Sequence, residues 1–173
     1  MRGRWVWGGY ALSVAWVGLL FFHVDRFLHA ARTEAFRQEG RRWVGLWADR
    51  IADAGGPQQA NALIRRFSGE LDSRSVALLN DEGQTLQCAG DPPPSPPRLP
   101  LSDPYDRSLD ASSWAYWAPL WVSGRRHGYV VWVRDASLLN RDRSHTQRGL
   151  LAAGAWWAAV GAVGAAFMSR LKT

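Results

Sequence analysis

The chain holds one cysteine, Cys88, and no acidic residue before Asp25 or after Asp142. A single cysteine excludes an intramolecular disulfide and any CxxC metal or redox motif. Read within a strand, Cys88 is expected to be a small core residue rather than a nucleophile. No GxSxG elbow, Gly-rich nucleotide loop or kinase histidine box occurs. His23, His29, His127 and His145 do not form a ligand pair at a usual metal spacing. Three of them, His23, His29 and His145, flank the apolar ends and read as interfacial residues. Catalysis, a resident metal and a cofactor are therefore not expected.

The net charge of +6 also loses its obvious meaning once it is located. Between residues 23 and 148, 17 basic residues face 15 acids, so that segment carries only +2. The rest is Arg2, Arg4, Arg170 and Lys172 on the two short tails, where membrane proteins place cytoplasmic anchoring charge. A nucleic-acid partner is not expected.

What the sequence has in quantity is apolar residues, and they gather at the ends. Residues 5–22, WVWGGYALSVAWVGLLFF, carry no charge. Their length suits a hydrocarbon core of about 30 Å. A cleaved secretory signal is the rival reading, but the run exceeds the usual length and no prompt small-x-small site follows it. Residues 149–168, GLLAAGAWWAAVGAVGAAFM, form a second uncharged run before a basic stop. Gly154, Ala158, Ala162 and Ala166 recur every fourth residue along it, a face on which another helix could approach closely. Both termini are expected in the cytoplasm, although Arg26, Arg32, Arg37, Arg141, Arg143 and Arg148 make the charge rule nearly neutral.

The expected organisation is a cytoplasmic tail (1–4), a first membrane helix (5–22), an extracytoplasmic domain (23–148), a second membrane helix (149–168) and a tail (169–173). Within the domain, residues 23–71 read as helical. Val24, Phe27, Leu28, Ala31 and Ala35 keep helical spacing, Gly40 marks a break or bend, and Trp43, Trp47 and Ile51 share a face. Gly55-Gly56-Pro57 stops that helix and starts another with Ala60, Leu63, Ile64 and Phe67 inward.

Residues 74–134 read as sheet. Strands at 75–79 and 85–89 flank the turn Asn80-Asp81-Glu82-Gly83, and strands at 114–122 and 129–133 flank residues 123–128, whose Arg125 and Arg126 read as a solvated turn. Between them, residues 90–104 contain seven prolines, which exclude helix and central strand. Both faces of the second hairpin are apolar, so the helices can cover only one. The Pro-rich loop and the segment 105–109 are expected to cover the other. A cavity beneath that loop would offer Arg98, Trp114, Tyr116 and Trp117 to a small ligand, with core packing the ordinary role of the three aromatics. Residues 135–148 read as an exit helix capped by Asp135 or Ser137. The fold class is thus α+β: an antiparallel sheet with long N-terminal helices, flanked by two transmembrane helices.

Val76-Ala77-Leu78-Leu79-Asn80-Asp81-Glu82-Gly83-Gln84-Thr85-Leu86 resembles the opening hairpin of the extracytoplasmic PAS-like (Cache or PDC) sensor domains of bacterial sensor histidine kinases and related two-span receptors. Residues 118–120 and 128–135 resemble their closing hairpin and its exit to the second membrane helix. The resemblance implies a periplasmic sensor in the inner membrane that belongs to a two-component-type system. It further implies a homodimer, an unknown small ligand or envelope stimulus, and a signalling partner in the membrane or cytoplasm. Such receptors normally continue into a kinase, cyclase or methyl-accepting domain, whereas this sequence ends five residues after Met168. Phosphotransfer is expected to belong to a C-terminal part or to a partner; were the chain a truncated receptor, the whole would be a sensor histidine kinase. The alternative from another class is an accessory or structural inner-membrane protein that holds a partner through its periplasmic domain.

Overall fold

The computed structural model describes residues 2–69, 73–96 and 99–170. Helix α1 (Arg2–Asp53) is followed by a 3-10 turn (Pro57–Gln59), α2 (Ala60–Ser68), β1 (Ser73–Leu79) and β2 (Thr85–Gly90). Strands β3 (Tyr105–Asp110), β4 (Ser113–Val122) and β5 (Arg125–Asp135) and helix α3 (Ser137–Arg170) complete the order. The fold is α+β, and the chain divides into two compact units: residues 1–32 with 141–173, and residues 33–140.

In the first unit, α1 and α3 contribute one helical segment each, and both are apolar. By length and composition each helix could cross a membrane: the stretches Trp7–Asp53 and Ser144–Met168 contain 18-residue windows of mean hydropathy 1.5 and 1.7. Their large side chains face outward, with Trp16, Leu20, Phe27, Leu151, Trp156 and Val163 all exposed. The segments meet on small residues. The Tyr10 hydroxyl donates to the Ala158 carbonyl, the Tyr10 ring fills the space a side chain at Gly161 would need, and Phe21 lies against Gly154. Of the small-residue stripe, Gly154 and Ala158 thus serve contacts between these two segments, and Ala165 rather than a stripe member is the buried residue farther along.

The second unit is a five-stranded antiparallel sheet of order β2-β1-β5-β4-β3. Its opening hairpin turns as the sequence implies. The Asn80 side-chain oxygen accepts from the backbone N–H groups of Glu82 and Gln84, and Gly83 takes a φ of 84°. The closing hairpin is tighter than expected. Ser123 and Gly124, both at positive φ, make a two-residue turn, so Arg125 and Arg126 already belong to β5 instead of a six-residue loop.

Packing then covers both faces. Trp47 and Ile51 of α1 and Ile64 and Phe67 of α2 bury against Val76, Leu78, Tyr116, Leu120, Val130 and Trp132. Trp47 stacks on Phe67 at 4.6 Å and tilts against Trp132 at 4.8 Å, placing three large rings at the centre. On the opposite face, Ala77, Leu79, Ala115, Trp117, Tyr129 and Val131 form a second cluster with Leu99 and Leu101 from the Pro-rich segment. One expectation fails here: residues 105–110 do not lie over this face but form β3, an edge strand paired with β4. A second also fails, because Cys88 is exposed on the opposite edge strand and is not a core residue.

Helix α1 also corrects the reading of Gly40. The helix continues through it to Asp53 and ends where Gly55 and Gly56 adopt positive φ. There the Gly55 N–H bonds to the Ala52 carbonyl (3.1 Å) and the Gly56 N–H to the Ile51 carbonyl (2.9 Å), the pairing of a Schellman cap.

Candidate functional site

A polar junction lies where residues 33–47 of α1 cross the sheet, built from charged side chains of α1, β3 and β5. Asp106 is the centre. It is the one buried residue of β3, stands opposite Tyr116 in the register, and has a fully buried side chain. A buried carboxylate requires compensation, and α1 supplies two guanidinium groups one turn apart. Arg37 Nε donates to Asp106 Oδ2 at 2.8 Å and Arg41 Nε to Oδ1, so each oxygen has its own cation. Arg37 also pairs with Glu34 at 3.0 Å and lies over the Trp114 ring at 5.7 Å. The hydrogen bond to Asp106, reinforced by its charge, raises the Arg37 pKa and keeps this cation charged.

Beside this pair the same helix makes a second cross-link to β5. Arg134 donates to Glu39 at 2.8 Å while its guanidinium lies 4.2 Å from the Phe36 ring centre and 5.4 Å from that of Trp132. Between the two links stands Tyr116, whose hydroxyl donates to the Phe36 carbonyl at 3.3 Å and whose ring packs against Trp132. Burial is the main reason its phenol is pushed well above the usual range, with the Arg134 charge opposing, so the hydroxyl remains a donor. The ring covers Gly40 so closely that a Cβ there would overlap it. Glycine is thus required at residue 40 for the helix to approach the sheet, not for a break in the helix.

The ligand set expected from sequence is not brought together. Trp114 and Tyr116 pack toward α1, whereas Trp117 faces the opposite cluster with Tyr105 and the Pro-rich segment. Consecutive strand residues point to opposite faces, so Tyr116 and Trp117 cannot line one cavity. Arg98 lies outside the described residues. Among the described residues no group of three or more His, Cys, Asp or Glu is arranged to hold a metal ion.

At the end of β5 the chain passes to α3 without an intervening loop. Asp135 Oδ1 accepts from the Ser137 backbone N–H at 2.7 Å, and the Ala136 N–H bonds back to the Ser112 carbonyl at 2.7 Å. The Asp135 pKa is lowered chiefly by that backbone bond, with help from Arg74 at 3.3 Å. The cap therefore ties the first turn of α3 to the end of the central strand pair. Sequence reasoning identified Asp135 but missed Asp106, Arg37, Arg41 and Glu39. The i,i+4 spacing of Arg37 and Arg41 was the available signal.

Neither a known protein family nor a curated protein matches this chain.

Proposed function

We propose that this protein is the signal-input part of a two-span inner-membrane receptor, with the sheet unit on the extracytoplasmic side and a PAS-like role as sensor. The observation that carries this reading is the continuity of α1 and of the passage from β5 to α3 among the described residues. α1 is one unbroken helix from Arg2 to Asp53, whose later turns are locked onto the sheet by Asp106 and Arg134, and β5 is followed immediately by the capped start of α3. Helices this apolar expose large side chains that water disfavours and lipid accepts, which supports membrane insertion.

A stimulus on the sheet, either a small ligand or an envelope state, would act by favouring one of two arrangements of the α1 junction, and α3 would carry the change toward a cytoplasmic output. Only differential affinity for two states can do this. A homodimer is the working form in this reading, and the output belongs to a C-terminal part or a partner.

The test is a fusion of the full chain to the output domain of a two-span receptor, assayed in cells for output. Single substitutions at the α1 junction, Glu39→Ala and Tyr116→Phe, should each move basal output up or down while leaving protein level unchanged. An output that stays at the parental level across these variants and across envelope stress and a metabolite screen would refute a sensory role.

A further inference from the structure

In the first unit, beyond the contact of Tyr10 with Ala158, the two apolar segments part to leave a cleft of about 590 Å³. That is within the range of small-ligand sites. Gly18, Phe21, Leu151 and Gly154 line its apolar length, and Asp25 and Gln147 close one end. The apolar part is open at Gly18, where a Cβ would meet no atom within 4 Å. The polar end is a hydrogen-bonded pair, with Gln147 Nε2 donating to Asp25 Oδ2 at 3.2 Å, and Oδ1 has no partner among the described residues. On the next residue, the Arg26 guanidinium lies 5.7 Å from the centre of the Phe22 ring, beside the same end.

We propose that this cleft binds one acyl chain of a membrane glycerophospholipid whose head carries a primary amine. The open space at Gly18 admits the chain, the Asp25 oxygen that has no partner among the described residues takes the ammonium, and Arg26 faces the phosphate. Charge order selects the head. A carboxylate at the mouth attracts an ammonium and repels the phosphate of a lipid that lacks one, and a charge-assisted bond is among the stronger contacts available. The position of the acid supports this: Asp25 is the first acidic residue of the chain and follows the end of the first apolar run by three residues, where a lipid head would lie. The inference rests on the membrane reading above.

The full chain would be reconstituted in nanodiscs of equimolar phosphatidylethanolamine and phosphatidylglycerol, released into mild detergent, and the retained lipid measured by native mass spectrometry. Phosphatidylethanolamine should be retained in excess, by about tenfold if the carboxylate contributes one charge-assisted bond. Asp25→Asn should abolish that preference while some lipid stays bound. Gly18→Leu, whose Cβ would enter open space at the cleft, should remove retained lipid of both kinds. Equal retention of the two lipids by the unaltered chain, or an Asp25→Asn chain that keeps the preference, would overturn the proposal. Sedimentation of membranes after alkaline washing separates the two levels: a chain extracted by the wash defeats both readings, whereas a chain that stays with the membrane but shows no head-group preference defeats this one alone.

Discussion

The ring of Tyr116 occupies the place where a side chain at residue 40 would begin. Glycine in the middle of a helix costs about 1 kcal/mol relative to alanine, so an isolated α1 would gain from Gly40→Ala. In the folded unit the new methyl must displace a buried aromatic ring, and overpacking of this kind costs about 1–3 kcal/mol. The expected result is a net loss of stability and a lower Tm, read by tryptophan fluorescence in detergent. Adding Tyr116→Leu should make the Gly40→Ala change neutral or favourable, because the obstructing ring is gone. A Gly40→Ala chain at least as stable as the parent would mean that α1 does not pack on the sheet through this contact.

Asp106 tests the other half of the junction. A fully buried carboxylate held by two cations loses about 3–5 kcal/mol when such a pair is broken in the interior. Arg37 and Arg41 are a third or more exposed, however, and retain water as a partner, so the loss is smaller. Asp106→Asn should therefore destabilise by about 1–3 kcal/mol, between the surface and interior limits. The double change Arg37→Ala with Arg41→Ala should cost more than Asp106→Asn, since it strands a buried negative charge with no cation. Chemical denaturation of the three variants ranks these directly. An Asp106→Asn chain as stable as the parent would show that the pair is not closed in solution.

The reason α1 and the hairpins were readable in the sequence, while this junction was not, lies in the kind of signal each leaves. Long apolar runs and the Asn80–Gly83 turn are local and repeat known physical requirements. β3 is an edge strand reading Tyr-Asp-Arg-Ser-Leu-Asp, exposed everywhere except at Asp106, so its sequence has neither alternation nor β-branched residues to announce it. Its one buried position is a charge, which is the opposite of the usual core mark. Gly40 carried the wrong signal for a similar reason. A glycine kept for a ring that arrives 76 residues later looks, along the chain, like a glycine that ends a helix. The division of Tyr116 from Trp117 was legible in principle, because strand period alone sends neighbours to opposite faces.

The turn from β3 to β4 supplies a pH-dependent prediction. Asp110 accepts from the Ser112 backbone N–H (2.6 Å) and from the Ser112 and Ser113 hydroxyls (2.8 and 2.7 Å), and these bonds, that of Ser113 foremost, lower its pKa to about 2. The folded value lies below the ordinary carboxylate value of about 3.9, so the contribution to stability is complete above the latter. It falls away as the pH drops through the interval down to about 2. The parent should therefore exceed Asp110→Asn in stability at neutral pH, and the difference should shrink on acidification through that interval. A carboxyl NMR titration of Asp110 with a midpoint near the ordinary value would contradict the bonded turn.

Cys88 offers a direct reading of sidedness, because it is the chain's sole thiol and stands exposed on the edge strand β2. Its pKa is raised, mainly by partial desolvation and further by Asp91, so the reactive thiolate is scarce at neutral pH and labelling should be done under mildly alkaline conditions. If the sheet unit lies outside the cytoplasmic membrane, a membrane-impermeant maleimide added to intact spheroplasts should label Cys88 fully, and prior lysis should add nothing. Labelling that appears only after lysis would invert the orientation, placing the sheet inside and both termini outside. The Cys88→Ser chain controls for background and should fold normally, since among the described residues the Cys88 Sγ hydrogen-bonds to the backbone oxygens of Gly90 (3.8 Å) and Asp91 (3.3 Å), which a hydroxyl can also satisfy. The same labelled thiol then reports on the lipid inference: Gly18→Leu, confined to the first unit, should leave its accessibility unchanged, so that a loss of bound lipid in that variant cannot be ascribed to inverted insertion.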